Sequence, residues 1–464
     1  MVFSSLTFLF AYLPITLLLY FLVPLKWRNL VLLVESLFFY GWGEPVYITI
    51  MFVSILIDYT HGLLVEKYRD NDKKARWFVG QSVVFNLLLL GFFKYWDFLA
   101  ANLSLLPGVN LPQLNIPLPI GISFFTFQTM SYTIDVYRRD APAQRSIIRF
   151  GAFVTMFPQL IAGPIVKYKT VAEALDHRVN TAEDFALGAR RFCVGLAKKV
   201  LLANAIGALW DAQLASAEAG TLTAAGGWLG LAAFGFQIYF DFSGYSDMAI
   251  GLGRIFGFRF LENFDYPYLS ASVTEFWRRW HMSLTSWFRE YLYIPLGGNR
   301  GGTAKTLRNI LIVWFCTGFW HGASWNFILW GLYFAAWLIL EKYVLKGVLT
   351  KTPGWIKHLY TLLVVFVGWG IFAMEDLGVC GGYLAACFGG APVWSAADGY
   401  TLKSYAATFL ILAVASTTLG RRCWQRLPDK VKKVLTPVFM LLALALSTAY
   451  LVDGSYNPFL YFRF

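Results

Sequence analysis

The chain has 464 residues, of which 58% are hydrophobic and only 14% are charged. This composition excludes a water-soluble globule, because too few polar residues are available to cover its surface, and it indicates a polytopic membrane protein. The net charge of +12 would suit a nucleic-acid partner. The cations cluster between apolar stretches, however, as cytoplasmic loops do, so we predict a lipid bilayer and no nucleic acid as partner.

Apolar stretches recur along the whole chain at lengths suited to a bilayer, which about twenty residues of helix can cross. They lie near residues 6–25, 30–43, 47–65, 78–100, 118–134, 152–166, 185–206, 228–250, 307–319, 325–340, 359–372, 405–416 and 437–451. We expect roughly eleven to thirteen membrane-embedded helices, some too short to cross completely. The first stretch lacks a basic leader and a small-residue cleavage site, so we expect a retained helix and not a signal peptide.

Three basic loops orient the predicted helices. Lysines and arginines cluster at 67–76, 138–149 and 421–433, whereas the connector 101–115 carries no charge. The positive-inside rule therefore places the three basic loops in the cytoplasm and the uncharged connector outside, and it sends both chain ends outward. No linker or fixed-period repeat divides the chain, so we expect one integral domain over residues 1–464.

Two apolar stretches contain residues that a simple span would not. Two prolines interrupt residues 157–164, and broken helices at membrane depth usually line a cavity. In residues 239–248, Asp241 and Asp247 lie on different helical faces, so no single orientation hides both from lipid. Either protein surrounds this segment, or it lines a wet cavity, or the carboxylates pair with Arg or Lys in a structural network.

Residues 265–302 are at once aromatic and basic, which predicts an amphipathic or re-entrant segment lying low in the membrane. Glu275 is placed to pair with Arg278 and Arg279 at helical spacing. The segment also holds His281. Its arginines Arg278, Arg279 and Arg300 are candidates to bind the phosphates of a donor, and the alternative is that they lie among lipid headgroups.

His321 interrupts the apolar stretch 310–330, where an ionisable ring is costly and by default marks function. Burial favours the neutral imidazole, which can accept a hydroxyl proton as the oxygen attacks a carbonyl, so acyl transfer to an alcohol fits this residue. A proton relay and a structural histidine stay open. The chain has no Gly-x-Ser-x-Gly elbow, and its five cysteines lack metal-site spacing, so we predict no serine or thiol nucleophile and no metal.

Several stretches together resemble the membrane-bound O-acyltransferase superfamily, in its bacterial branch of alginate O-acetylation membrane proteins. They are residues 1–5, 118–124, 157–164, 195–200, 241–250, 276–300 and 320–322. The resemblance implies an all-α polytopic fold, a ring of tilted transmembrane helices around a funnel with re-entrant segments. It also implies that His321 is the buried catalytic histidine and His281 the second family histidine, whose position holds Asn or His in the wider superfamily.

The same resemblance implies acetyl-CoA as the acyl donor, with no permanently bound cofactor, and a location in the cytoplasmic (inner) membrane. An extracytoplasmic acetyltransferase partner would then place the group on a polysaccharide, and alginate, cellulose, other exopolysaccharides and peptidoglycan remain open as acceptors. A different class, a transporter of a glycan or of protons, would use Asp241, Asp247, His281 and His321. A non-catalytic scaffold is the third alternative.

The last six residues, 459–464, carry a single hydroxyl group, on Tyr461. By itself this segment predicts an interfacial aromatic anchor. It also resembles the C-terminal motif of the small partner peptide in teichoic-acid D-alanylation systems, in which a tyrosine is thought to carry the acyl group. A phenol, with a pKa of about 10, leaves more readily than a sugar alcohol. Our hypothesis is that residues 453–464 form an acyl-accepting tail and that His321 assists transfer from a cytoplasmic thioester to Tyr461.

Overall fold

The computed structural model describes residues 1–161, 163–454 and 459–460, and within them helices are the only regular secondary structure. The all-α fold that the family resemblance implies is therefore confirmed. The described residues form two compact units. The first contains residues 1–196 and 245–261 with the described part of 451–463, and the second contains residues 197–244 and 262–450. The expectation of one integral domain stays a prediction.

The first unit is built from short and medium helices in the first part of the chain. They are α1 (Leu13–Leu22), α2 (Arg28–Gly41), α3 (Ile48–Lys67), α4 (Asp72–Leu90), α5 (Trp96–Leu103), α6 (Ile122–Arg138), α7 (Ile147–Thr155), α8 (Phe157–Leu160), α9 (Tyr168–Asp176) and α10 (Ala182–Ala197). The predicted interruption at 157–164 is present, because α7 ends at Thr155 and α8 is a single turn. The apolar stretch 152–166 is therefore not one continuous helix.

Buried polar side chains hold the helices of the first unit together, as is usual where lipid provides no hydrophobic drive for helix association. Asp58 on α3 is fully buried. Its carboxylate accepts hydrogen bonds from Ser82 Oγ (2.6 Å) and Asn86 Nδ2 (2.9 Å) on α4, and Asn86 Oδ1 accepts one from Thr129 Oγ1 of α6 (3.1 Å). Asp58 and Asn86 together thereby link three helices.

The second unit holds the later helices. They are α11 (Asn204–Glu218), α12 (Ala224–Ile255), α13 (Val273–Arg279), α14 (Met282–Phe288), α15 (Thr303–His321), α16 (Trp325–Tyr343), α17 (Lys346–Lys351), α18 (Gly354–Ala373), α19 (Leu377–Ala385), α20 (Ala396–Ala415), α21 (Leu419–Arg426) and α22 (Asp429–Asp453). Helix α12 is divided between the units: its residues up to Gly244 belong to the second unit and those from Tyr245 to the first. Short π-helical stretches at Lys198–Ala203 and Arg289–Tyr293 extend neighbouring helices.

Five helical segments of the described chain are long and apolar enough to cross a membrane, and a sixth would be the pair α20 and α21, bent by 65°. The five are Ile48–Lys67, Asp72–Leu103, Ala182–Glu218, Gly354–Ala373 and Asp429–Asp453. A multi-pass membrane protein is thus confirmed. The estimate of eleven to thirteen embedded helices includes shorter and more polar segments and stays a prediction.

Glycines bring α15 and α16 into direct backbone contact. A Cβ added to Gly331 would lie 2.3 Å from the carbonyl oxygen of Trp314, and one added to Gly318 would lie 2.2 Å from that of Phe327. Real side chains cannot approach so closely, so these positions need glycine for the two helices to cross at this distance. The crossing fixes the last turn of α15, which ends at His321.

Candidate functional site

The two histidines singled out from the sequence lie in the second unit, and both are buried, with 7% of His321 and 2% of His281 exposed. The indole of Trp320 contacts both rings. Its centroid lies 5.0 Å from that of His321 and 6.2 Å from that of His281. The structure therefore places both residues against one aromatic side chain, His321 at the end of α15 and His281 just before α14.

An aromatic cage surrounds His321. The ring centroids of Trp330 on α16 and Phe372 on α18 lie 5.0 and 5.2 Å from the imidazole, each nearly perpendicular to it. Asn326 Nδ2 donates to the carbonyl oxygen of Phe372 (3.0 Å) and so ties the start of α16 to the end of α18. His321 thus lies at the end of α15, buried among aromatic rings.

His281 is held by the side chain of Asn263. Asn263 Oδ1 accepts hydrogen bonds from the backbone N–H of Ser283 (3.2 Å) and from Ser283 Oγ (2.9 Å), and His281 Nδ1 lies 3.1 Å from the same oxygen. A backbone N–H can only donate, so the shared atom is the amide oxygen, and Nδ1 must carry the proton of the neutral ring. The lone pair of His281 is therefore on Nε2.

Nε2 of His281 is buried and has no hydrogen-bond partner among the residues that the structure describes. His281 lies outside the six candidate spans, and burial lowers the pKa of its imidazole to about 3, so the ring is neutral. A buried polar atom left without a partner calls for an explanation. A neutral nitrogen with a free lone pair is the group that accepts a hydroxyl proton in general base catalysis.

The backbone of His281 adopts the left-handed conformation (φ 45°, ψ 52°) as the N-cap of α14. For a residue with a large side chain this conformation is strained and persists only when its surroundings enforce it. The backbone N–H of Met282 donates to the carbonyl oxygen of Asn263 (3.0 Å), and the ring of Phe242 packs edge-on against the imidazole at 4.7 Å. These contacts hold the strained turn in place.

The two carboxylates of residues 239–248 both form ion pairs. Asp241, which is 1% exposed, pairs with the buried Lys199 within the second unit. Asp247 pairs with Arg191 within the first unit, at 2.9 Å. The alternative of carboxylates paired with Lys or Arg is thus confirmed for both residues. Lys199 and Arg191 are the partners that sequence reasoning did not identify.

The three candidate arginines have different surroundings. Arg278 lines a cavity at the ends of several helices. Arg279 forms an ion pair with Glu275 at 2.9 Å, as predicted, and reaches Asp265 at 3.5 Å. The predicted pairing of Glu275 with Arg278 is wrong, because the carboxylate is occupied by Arg279. Arg300 is exposed in the turn before α15, so the structure does not gather the three guanidinium groups.

Tyr461 lies outside the described residues. Its neighbours Phe459 and Leu460 are described and buried, and the ring of Phe459 packs against Tyr245 of the first unit with centroids 5.0 Å apart. Tyr245 belongs to the motif that begins at Asp241. Within the described chain, no three His, Cys, Asp or Glu side chains are grouped as ligands of a metal ion would be.

Comparison with known proteins identifies relatives along the full chain. The family model described as MBOAT, membrane-bound O-acyltransferase family, matches residues 38–380. The probable alginate O-acetylase of Azotobacter vinelandii is 39% identical, with all of both chains covered. The probable alginate O-acetylase of Pseudomonas aeruginosa is 44% identical over 82% of this chain and 73% of its own. The peptidoglycan O-acetyltransferase of Helicobacter pylori is 33% identical over 81% of this chain and 78% of its own.

Proposed function

Because the chain belongs to the membrane-bound O-acyltransferase family, we propose that it takes an acetyl group from a cytoplasmic thioester and supplies it for O-acetylation of a polysaccharide outside the inner membrane. That it is a multi-pass membrane O-acyltransferase follows from the family and the apolar helices. The observation that supports the catalytic assignment is the pair of buried histidines in contact with Trp320.

We assign His321 as the general base. Its neutral imidazole takes the proton of an acceptor hydroxyl while the hydroxyl oxygen attacks the thioester carbonyl. The C–O bond forms, the C–S bond breaks, and the thiolate leaves with the proton that the imidazolium returns. The aromatic cage contributes by excluding water, which would otherwise hydrolyse the thioester. His281 supports the step before the attack: its Nε2 accepts the hydrogen bond of the hydroxyl, whose single proton turns to His321 as the C–O bond forms.

Acetyl-CoA is the donor that we propose. The named activities of the relatives concern O-acetyl groups, and a thioester is the activated form from which a hydroxyl accepts an acyl group without further energy input. No permanently bound cofactor is needed for this chemistry. Arg278 is the predicted phosphate ligand best placed for the donor, because it lines a cavity and lacks a carboxylate partner among the described residues.

The first acceptor that we propose is Tyr461 of the chain itself. The packing of Phe459 against Tyr245 supports a tail that returns to the residues following Asp241. The tyrosyl ester would then pass its acetyl group to an extracytoplasmic acetyltransferase, which places it on the polysaccharide. Since relatives named for alginate are 39% and 44% identical and the one named for peptidoglycan 33%, we favour an alginate-like exopolysaccharide over peptidoglycan or cellulose.

Incubation of the purified protein in lipid nanodiscs with acetyl-CoA labelled in the acetyl group tests this function. We expect the wild-type protein to release CoA thiol and to acquire label, and the Tyr461→Phe variant to remain unlabelled. A transporter would do neither. Label retained by Tyr461→Phe would reject the tyrosine as acceptor but not the acyltransferase activity, because thiol release is measured in the same samples.

A further inference from the structure

One side chain of the aromatic cage around His321 carries a hydrogen-bond donor that the protein itself does not use. Trp330 on α16 is 1% exposed, and its indole Nε1 is buried with no hydrogen-bond partner among the residues that the structure describes. An indole N–H can only donate, and a buried tryptophan usually finds an acceptor for it. The unused donor therefore calls for an explanation.

A neighbouring tryptophan shows how a buried indole N–H is satisfied in the same unit. Trp369 on α18 is also 1% exposed, and its ring centroid lies 6.3 Å from that of Trp330. Its Nε1 donates to the hydroxyl oxygen of Tyr268 (3.2 Å), and that hydroxyl donates to the carbonyl oxygen of Gly235. Burial among these aromatic rings thus does not by itself leave an indole N–H without an acceptor.

The preceding turn of α16 does not supply the acceptor that Trp330 lacks. Asn326 lies four residues before Trp330 and therefore on the same face of the helix. Its Nδ2 donates to the carbonyl oxygen of Phe372 (3.0 Å), and its Oδ1 is also buried without a partner within the described chain. This face of α16 thus presents an unused donor and an unused acceptor. A ligand with a carbonyl oxygen and an N–H or O–H group would satisfy both.

Trp330 lies at the distance from His321 that a donor to the reacting carbonyl group requires. The two ring centroids are 5.0 Å apart, and the rings are nearly perpendicular. A general base lies about 2.6–3.2 Å from the hydroxyl oxygen whose proton it takes, and this hydroxyl oxygen bonds to the carbonyl carbon. The carbonyl oxygen is one bond further away, so a donor that contacts it must lie beside the base.

Packing holds the indole of Trp330 in one position. The ring centroids of Trp277, Phe334 and Phe372 lie 5.5, 5.4 and 5.3 Å from its own, and the next residue, Gly331, lies at the close crossing of α15 and α16. A donor that is fixed before charge develops can stabilise that charge without reorganisation. The N–H of Trp330 also has no bond to break within the described chain before it binds a ligand.

We propose that the indole N–H of Trp330 is the oxyanion donor of acetyl transfer. The assignment rests on the proposed reaction at His321. As the hydroxyl oxygen bonds to the carbonyl carbon, the electron pair of the C=O π bond moves to the carbonyl oxygen, which accepts a hydrogen bond from Trp330 Nε1. The pair returns when the C–S bond breaks and the thiolate leaves. The indole keeps its own proton, because the proton of the hydroxyl goes to His321.

Single-turnover thiol release from acetyl-CoA by the protein in nanodiscs tests the assignment. Benzothienylalanine in place of Trp330 keeps the two-ring shape but has sulfur where the indole has N–H. At saturating acetyl-CoA we expect the rate constant to fall by about 100-fold. The half-saturating concentration should stay within about twofold, because the hydrogen bond strengthens only as charge develops. Benzothienylalanine in place of Trp369 is the matched control and should release thiol at the wild-type rate.

A dithioester analogue of acetyl-CoA, with sulfur in place of the carbonyl oxygen, separates a lost hydrogen bond from a distorted site. Sulfur accepts hydrogen bonds weakly, so the replacement of Trp330 should slow thiol release from this analogue by a much smaller factor than from acetyl-CoA. The same factor for both donors would overturn the assignment, because a distorted site slows both alike.

Equal rate constants for acetyl-CoA in the wild type and in the protein with benzothienylalanine in place of Trp330 would also overturn the assignment. The proposed function would stand in that case, because the wild type still releases thiol. Absence of thiol release by the wild type would instead reject the proposed function. Melting temperatures of both proteins, measured in the same nanodiscs, should agree and so show that the replacement keeps the fold.

Discussion

At the scale of single residues, Asn263 decides what His281 can do. One amide oxygen receives the imidazole Nδ1–H and two donors from Ser283, which fixes the tautomer and leaves Nε2 as the basic atom. Orienting groups of this kind matter because a base must present its lone pair at the position of the proton it removes. Asn263 is thus a positioning residue for His281, acting through the ring and not on the substrate.

Replacing Asn263 by Leu should lower the single-turnover rate constant of thiol release at saturating acetyl-CoA by about tenfold, the equivalent of one lost hydrogen bond of about 1.4 kcal/mol, with little change in the acetyl-CoA concentration that gives half of this rate. Asn263→Asp keeps the acceptor and should retain most of the activity. The carboxylate would stabilise the imidazolium and raise the pKa of His281 from about 3, so the acidic limb of the pH–rate profile should move to higher pH. An unmoved acidic limb in Asn263→Asp would contradict this role.

At the scale of helices, the glycine crossing of α15 and α16 sets the position of His321. We expect Gly318→Ala to force the two backbones apart, since the added methyl group would meet the carbonyl oxygen of Phe327 at 2.2 Å. Such overpacking costs about 1–3 kcal/mol of stability, and it should reduce thiol release because His321 stands one turn further along.

Thermal unfolding in detergent and thiol release measure the two effects together. Gly420→Ala on α21 is the matched control, because a Cβ at Gly420 meets no atom within 4 Å. Both quantities should stay at wild-type values in this variant. If the Gly318→Ala protein kept the wild-type melting temperature and full activity, the close crossing of α15 and α16 would not be what positions His321.

The ion pair of Lys199 and Asp241 joins the stretch before α11 to α12 and is almost fully buried. Asp241→Asn should destabilise the protein by about 3–5 kcal/mol, because it removes one partner of a buried ion pair. The double variant Lys199→Met, Asp241→Leu should recover much of this loss and should still release thiol. If the double variant lost activity but kept a normal melting temperature, the charges of this pair would be needed for the reaction and not only for stability.

Sequence patterns predict helices well and their long-range partners poorly. Apolar runs indicate where α3, α4 and α18 lie, and the prolines indicate the break after α7. The charges of Asp241 and Asp247 predict that partners exist, but nothing in the order of residues says that they are Lys199 and Arg191. Asn263 carries no local signal at all, because an asparagine in a loop has many uses and only the folded chain places its amide beside His281.

At the scale of the whole molecule, the distribution of lysine and arginine orients the protein in the bilayer. The basic loop 421–433 is predicted to face the cytoplasm and the uncharged connector 101–115 to face outward. Composition alone predicts a membrane protein, because a chain with 58% hydrophobic residues has too few polar residues to cover a surface exposed to water. It does not predict which helices cross completely, since crossing depends on tertiary packing and not on hydropathy alone.

Labelling of cysteine checks this orientation. Cys423 is exposed on α21, in the basic segment predicted to face the cytoplasm, so a membrane-impermeant maleimide should modify it in inverted vesicles but not in intact spheroplasts. The control is an Asn110→Cys variant, in which a cysteine on the exposed connector should react in spheroplasts. Modification of Cys423 in intact spheroplasts would reverse the predicted orientation of this loop.

The central claim is that the imidazole of His321 removes the proton of the acceptor hydroxyl during acetyl transfer. Its most direct test is the acetyl content of surface polysaccharides, measured by mass spectrometry in cells that produce wild-type, His321→Ala or His61→Ala protein at equal membrane levels. His61, on α3, bonds to the carbonyl oxygen of Ile57 in its own helix and serves as the matched control. We predict wild-type acetylation with His61→Ala and, with His321→Ala, the level of cells lacking the protein. Unchanged acetylation in His321→Ala would contradict the claim and favour a non-catalytic scaffold.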